Sequence, residues 1–153
     1  MRKFIRDQTI ELIDTVNEGV KYTKNVDSRN SIPVLYDCYI AMKSIFKVLK
    51  TSLSAERLIF YAQIIDNIMG LLEQIIKVPS NVELRQNPIT EIDYMLAILK
   101  KELMSEKEVK LEILFLPYKS SMWDSLESIW RAAKDDPSCD CYVVPIPYYD
   151  RKP

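Results

Sequence analysis

The run Ala55-Glu-Arg-Leu-Ile-Phe-Tyr-Ala-Gln-Ile-Ile-Asp-Asn-Ile-Met-Gly-Leu-Leu-Glu-Gln-Ile-Ile-Lys77 decides the fold class. Within it Leu58, Ala62, Ile65, Met69, Leu72 and Ile76 recur at steps of three and four, and Tyr61, Ile64, Ile68, Leu71 and Ile75 form a second stripe beside the first. Those steps place side chains on one face of an α-helix, whose turn holds ~3.6 residues. Two adjoining apolar stripes predict a helix with neighbours on both sides. Gly70 either lets another helix approach or is simply tolerated, at a cost of ~1 kcal/mol. Ser54, after the break at Thr51-Ser52-Leu53, is the predicted N-cap.

Working outward towards the N-terminus, Ile5, Leu12, Ile13, Val16 and Val20 predict a helix over 3–24. Ser31 is the predicted cap of the next helix, with Pro33 in its first turn, where a missing N–H costs little. There Leu35, Cys38, Met42, Ile45 and Leu49 repeat in steps of three and four, beside Val34, Tyr39 and Phe46. Towards the C-terminus, Val78-Pro79-Ser80 ends the long helix, and Ser80 with Glu83 reads as a capping box. Pro88 is expected to kink or divide the fourth helix, whose stripe Ile92, Leu96, Leu99 and Leu103 runs to about Glu106. The fold class is mainly α, with residues 1–107 expected to form an antiparallel four-helix bundle.

From residue 108 the pattern changes. Val109-Lys-Leu-Glu-Ile-Leu-Phe-Leu116 is a nearly continuous apolar run of strand length, which suits a parallel strand covered on both faces. After the loop Pro117–Ser120, Ser121 is the predicted cap of a helix over 122–135, with Asp124 placed as the acid of a capping box. Met122, Leu126, Ile129, Trp130 and Ala133 are its predicted buried face, and Tyr142-Val143-Val144-Pro145-Ile146 is the second strand. Residues 108–153 therefore read as one strand-helix-strand unit with a right-handed crossover, the start of a Rossmann-like domain. A two-stranded parallel sheet covers neither its edges nor both faces. The expectation is a fragment whose sheet continues in a longer protein, or else a sheet completed by a partner chain.

Composition narrows the chemistry. The 153 residues contain no histidine and two glycines. Histidine general bases, His-bearing triads, zinc sites with His ligands and Glu-x-x-His di-iron bundles are thereby excluded from these residues. No Walker loop or G-x-G-x-x-G pattern occurs. Lys plus Arg number 21 against 22 for Asp plus Glu, a net charge of −1, so the basic surplus of a nucleic-acid-binding protein is missing. Three cysteines without framework spacing point to a reducing, cytosolic compartment. Cys38 falls on an apolar stripe as a core residue, and two thiols at Cys139 and Cys141 make a poor metal site on their own. The start Met1-Arg-Lys-Phe-Ile-Arg-Asp7 lacks the apolar run of a signal peptide, and no stretch is expected to reach the ~18 apolar residues of a membrane span.

The segment Phe115-Leu-Pro-Tyr-Lys-Ser-Ser-Met-Trp-Asp-Ser-Leu-Glu-Ser-Ile-Trp130, followed by Cys141-Tyr-Val-Val-Pro-Ile-Pro-Tyr-Tyr-Asp150, resembles the CDP-glycerol glycerophosphotransferase family of Firmicutes. The similarity is greatest to members in which a helical N-terminal segment precedes the first Rossmann-like domain. They carry a motif close to Phe-Leu-Pro-Tyr-Lys-Ala-Ser-Met-Trp-Asp-Ser-Leu-Glu-Ser and, later, Pro-Ile-Pro-Tyr-Tyr-Asp. Ser120 stands at the Ala position. The specific match covers residues 113–150, while the upstream helices resemble the family only loosely, as in Leu35-Tyr-Asp-Cys-Tyr-Ile-Ala41. The resemblance implies a two-Rossmann transferase of the glycosyltransferase B type that acts in teichoic-acid synthesis. It would move glycerol phosphate from CDP-glycerol to a lipid-linked polyol-phosphate acceptor, by attack of an acceptor hydroxyl on the donor's β-phosphorus with CMP leaving. In the family the donor pocket and catalytic histidines lie downstream of the matched region. The 153 residues are therefore expected to be inactive alone, with no catalytic residue, cofactor site or metal site of their own.

Two sets of binding residues are candidates. Lys119, Ser120, Ser121 and Trp123 lie in a loop beyond the end of a strand and at a helix N-terminus, where ligands of open α/β sheets bind and free N–H groups favour anions. They are expected to line the acceptor side of the cleft. The plainer reading is that Ser121 and Asp124 cap the helix, Lys119 is solvated and Trp123 packs on further sheet. Lys43, Lys47 and Lys50, around Ile45-Phe46, are candidates for contact with anionic lipid at the inner face of the cell membrane. Against that, lysines near a helix C-terminus complement its dipole. The alternative function is a helical module without catalysis that dimerises or docks a partner.

Overall fold

In the computed structural model, residues 1–77, 82–107, 109–117 and 119–147 are described. The protein is mainly helical, with a two-stranded parallel sheet. In order, the elements are α1 (Lys3–Tyr22), a short 3-10 turn (Thr23–Asn25), α2 (Ser28–Ser52), α3 (Ala55–Lys77), α4 (Val82–Met104), β1 (Leu111–Phe115), α5 (Ser120–Asp135) and β2 (Cys139–Val143). They divide into two compact units, Lys3–Glu108 and Val109–Pro153. No described residue has a positive φ, glycines included.

The helical unit is built on one rule applied four times. The buried positions are Thr9, Ile13, Val16 and Val20 on α1, then Ser31, Leu35, Cys38, Met42, Ile45 and Leu49 on α2. On α3 they are Tyr61, Ile65, Ile68, Leu72 and Ile75, and on α4 Ile89, Ile92, Leu96, Leu99 and Leu103. Each series alternates steps of four and three, a mean of ~3.5, which keeps one seam turned to the neighbours along helices that lean on one another. α1 packs on α2 and α4, and α3 packs on the same two. On α3 the seam draws members from both predicted stripes, leaving Leu58, Ile64, Met69, Leu71 and Ile76 half-buried at its flanks.

Several helix details differ from expectation. Asp27, not Ser31, caps α2: its carboxylate accepts the Asn30 N–H at 2.9 Å. The acid lies one turn earlier and also complements the positive helix end, so Ser31 becomes a fully buried seam residue and Pro33 falls inside the helix. The Ser54 cap is present as a 3.4 Å bond from the Arg57 N–H. Pro88 does not divide α4, which continues through it. One missing hydrogen bond near the start is tolerated where Ile89 and Ile92 bury the next turn. The capping box Ser80–Glu83 lies outside the described residues. A Cβ on Gly70 would meet nothing within 4 Å, whereas one on Gly19 would lie 2.8 Å from Cys38 Sγ. The close approach thus belongs to Gly19, between α1 and α2.

In the second unit β1 and β2 pair in parallel, with Leu111 opposite Cys139 and Phe115 opposite Val143. The second strand was expected over 142–146, but pairing begins three residues earlier. Asp136 sets this start by accepting bonds from the Ser138 N–H and hydroxyl at 2.8 and 2.6 Å, which also hold its carboxyl below its usual range. Two further bonds, Val144 N–H to Phe115 O at 2.9 Å and Ile146 N–H to Pro117 O at 3.1 Å, extend the pairing past both strands. α5 begins at Ser120 with extended Lys119 before it and no side-chain cap, so Ser121 sits in the first turn and the predicted Ser121–Asp124 capping box is not formed. Ile129, expected inside, is 59% exposed. At 100° per residue, the covered face centres on Leu126 and Trp130 and extends to Trp123 and Glu127, leaving Ile129 beyond its far edge.

Candidate functional site

The loop after β1 and the chain after β2 both leave the sheet at its carboxyl end, and α5 packs against both strands. Between them lies a pocket of about 760 Å³. Pro117 and Lys119 line it from the loop, Trp123, Asp124 and Trp130 from α5, and Val143, Pro145 and Ile146 from the other side. The two indoles are seven residues apart, two helical turns, and so share a face; their ring centroids are 5.4 Å apart at 57°. The Lys134 ammonium lies over the Trp130 ring, 4.7 Å from its centroid, a cation–π contact. Asp124 and Lys119 put one charge of each sign on the rim of a largely apolar hollow.

Of the sequence candidates, Lys119 and Trp123 line this pocket. Ser121 is exposed in the first turn of α5 and is not among the lining residues. The side chain of Ser120 lies outside what is described. Sequence reasoning missed Asp124, which it used as a cap, and Trp130, which it counted as core. The i, i+7 spacing of the tryptophans was the available signal.

A smaller cleft of about 500 Å³ is lined by Trp130, Lys134 and the β2 residues Cys139 to Val143. Burial, followed by the neighbouring Cys139, Asp140 and Asp136, pushes the Cys141 thiol up. It therefore stays protonated at neutral pH, a weak nucleophile and a weak ligand. Among the described residues no three His, Cys, Asp or Glu side chains gather as a metal site would require.

Among its described residues the helical unit holds a buried ionic cluster. Glu106, just past α4, is buried, and its Oε2 accepts bonds from Tyr61 Oη at 2.7 Å and from Arg57 Nε and Nη2 at 3.0 and 2.9 Å. Burial first, then the bond to Glu106, raises the Tyr61 hydroxyl far above its ordinary range. The bond to Glu106, and then that to Tyr61, likewise raises Arg57. Three donors on one oxygen tie the end of α4 to the first turns of α3. That arrangement keeps a buried charge satisfied and leaves its protons fixed.

Lys43, Lys47 and Lys50 are all exposed on α2, in line with the exposed Tyr36 and Ile40. Ile45 is fully buried and Phe46 packs against the core, so neither stands among the lysines as an apolar anchor. Lys43 Nζ lies 4.6 Å from the Tyr39 ring, and Tyr39 Oη donates to Glu73 Oε1 at 2.8 Å. α3, contrary to expectation, has the length and hydropathy of a membrane-crossing helix. Yet Tyr61, Ile65, Ile68, Leu72 and Ile75 are buried against its neighbours.

No protein-family model, no curated protein and no solved structure matches the chain.

Proposed function

We propose that the chain is the N-terminal region of a CDP-glycerol glycerophosphotransferase-like enzyme, and that its second unit supplies the acceptor side of the cleft. The observation that carries this reading is the pocket. Residues 115–130, the segment that resembles the family, contribute Pro117, Lys119, Trp123, Asp124 and Trp130 to it, at the carboxyl ends of parallel strands where open α/β sheets bind ligands. Exposed Leu111, Leu114, Leu116, Tyr142, Val144 and Ile146 support a Rossmann-like domain in which further elements cover this small sheet. The helical unit is read as an antiparallel bundle. Asp14 pairs with Lys100 and Lys21 with Asp93, so numbers rising along α1 meet numbers falling along α4.

The chain has no histidine, so the transfer step is assigned to a longer protein that includes it. Here Lys119 would meet acceptor phosphate and the indoles would exclude water from it. The test is CMP release from CDP-glycerol by that longer protein with a lipid-linked polyol phosphate. Lys119→Ala is expected to raise acceptor KM about 10-fold with donor KM unchanged, since a lost charge-assisted hydrogen bond costs ~1.5–3 kcal/mol. Unchanged acceptor kinetics would remove the cleft role. Absence of CMP release in the wild type would leave the bundle as a non-catalytic module that dimerises or docks a partner. The same reading puts the protein in the cytoplasm at the inner membrane face, with Lys43, Lys47 and Lys50 towards anionic lipid. Flotation with liposomes that shows no dependence on anionic lipid would end that part.

A further inference from the structure

The pocket in the second unit has a composition that the acceptor reading does not by itself require. We infer that Trp123, Trp130, Asp124 and Lys119 form a subsite for a pyranosyl phosphate, a ring sugar carrying one phosphate. The inference rests on the acceptor-cleft reading of the pocket and adds which part of an acceptor sits there.

The argument starts from the indoles. Trp123 and Trp130 are half-buried, and both line the pocket. Their tilt of 57° at a 5.4 Å separation makes an angled wall inside a hollow of about 760 Å³, room enough for a sugar. A pyranose presents a flat array of C–H groups that covers an aromatic face and displaces its water. A linear polyol offers no such face until several rotors are frozen, at a cost in conformational entropy. Asp124 follows Trp123 on the rim, and an ionised carboxylate only accepts hydrogen bonds. It therefore suits hydroxyl groups and repels phosphate. Lys119, on the loop side of the same pocket, supplies the opposite charge for the anion. One acceptor of hydroxyls, one cation and an aromatic wall together describe a sugar bearing a single phosphate. An acidic peptide or a bare lipid chain would have no use for Asp124.

The protein carries its own reporter, because both of its tryptophans line this pocket. Tryptophan emission of the full chain is titrated with glucose 1-phosphate, methyl glucoside, glycerol 3-phosphate and inorganic phosphate. Saturable quenching is expected with glucose 1-phosphate, weaker saturation with methyl glucoside, and none with the other two. Asp124→Asn should weaken glucose 1-phosphate binding about 10-fold, the usual effect of losing a charged hydrogen-bond acceptor. Lys119→Ala should weaken glucose 1-phosphate by a similar factor yet leave methyl glucoside unchanged, a difference that loss of fold would not produce. Equal response to glycerol 3-phosphate and glucose 1-phosphate, no saturable response to either sugar, or an unaffected Asp124→Asn variant would each overturn the subsite. Sugar binding without CMP release in the longer protein would refute the transferase and keep the subsite. CMP release without sugar binding would do the reverse.

Discussion

In the helical unit the apolar seams of α1 to α4 go inside, while in the strand-helix-strand unit most large apolar side chains stay outside. Every member of the buried cluster lies on α1 to α4, and Phe115 is the one buried apolar residue described in the second unit. The cause is geometric. A helix needs one seam covered, and four helices with matching seams cover one another. A strand pair has two faces and two edges, and α5 is a single helix. Local repeats can therefore close a core in the first case, whereas in the second the same apolar content leaves a sheet and a pocket open to further contacts.

The sharpest way to break this contrast is truncation on either side of it. Leu72→Ala, on the α3 seam, should destabilise by about 2–5 kcal/mol through lost burial and a cavity. Leu114→Ala, 55% exposed on β1, should stay within about 0.5 kcal/mol. Urea denaturation of the two variants decides it, and comparable losses would mean that the sheet is covered after all. Next in size is Tyr61→Phe. Removing one donor from buried Glu106 should cost about 1.5–3 kcal/mol, read as a lower urea midpoint at unchanged slope.

The glycines sharpen the picture within the first unit. Gly70→Ala meets open space and should stabilise by about 1 kcal/mol through helix propensity. Gly19→Ala puts a methyl against Cys38 Sγ and should destabilise in the parent, but become stabilising once Cys38→Ala removes the sulfur. A double-mutant cycle with no coupling would mean that the helices separate freely there. The last effect is alkaline. Burial, reinforced by Asp37, pushes the Cys38 thiol from 9.0 up to about 11, so the folded state favours the protonated form. That contribution is fully present below pH 9 and is lost as pH rises to about 11. Cys38→Ala should flatten the stability curve in this window, as followed by circular dichroism, while the loss from raised Tyr61 persists at higher pH.

The helices were legible because their signal is local. Ile65 and Leu72 sit where their spacing puts them, and Ser54 caps where it was expected. What failed needed knowledge of neighbours. The choice of Asp27 over Ser31 depends on where the 3-10 turn releases the chain, and the exposure of Ile129 depends on which side of α5 the sheet takes. The start of β2 depended on an Asp136–Ser138 turn that carries no apolar pattern. Of the candidate site, Lys119 and Trp123 could be named from their place after a strand. Asp124 could not, because an acid at that offset from a serine has an equally good local use as a cap, and Trp130 has the spacing of any core residue.

The absence of positive φ among the described residues has an evolutionary consequence. Turns built on left-handed residues pin glycine or asparagine at fixed places, and such positions resist substitution. Here Gly19 is required for its small volume and Gly70 is not required at all. The described backbone therefore demands no particular residue on conformational grounds. At its described connections a lineage carrying this fold is constrained by side-chain bonds such as those of Asp27 and Asp136 rather than by backbone conformation, and elsewhere by the four seams, the Glu106 cluster and one close approach between helices.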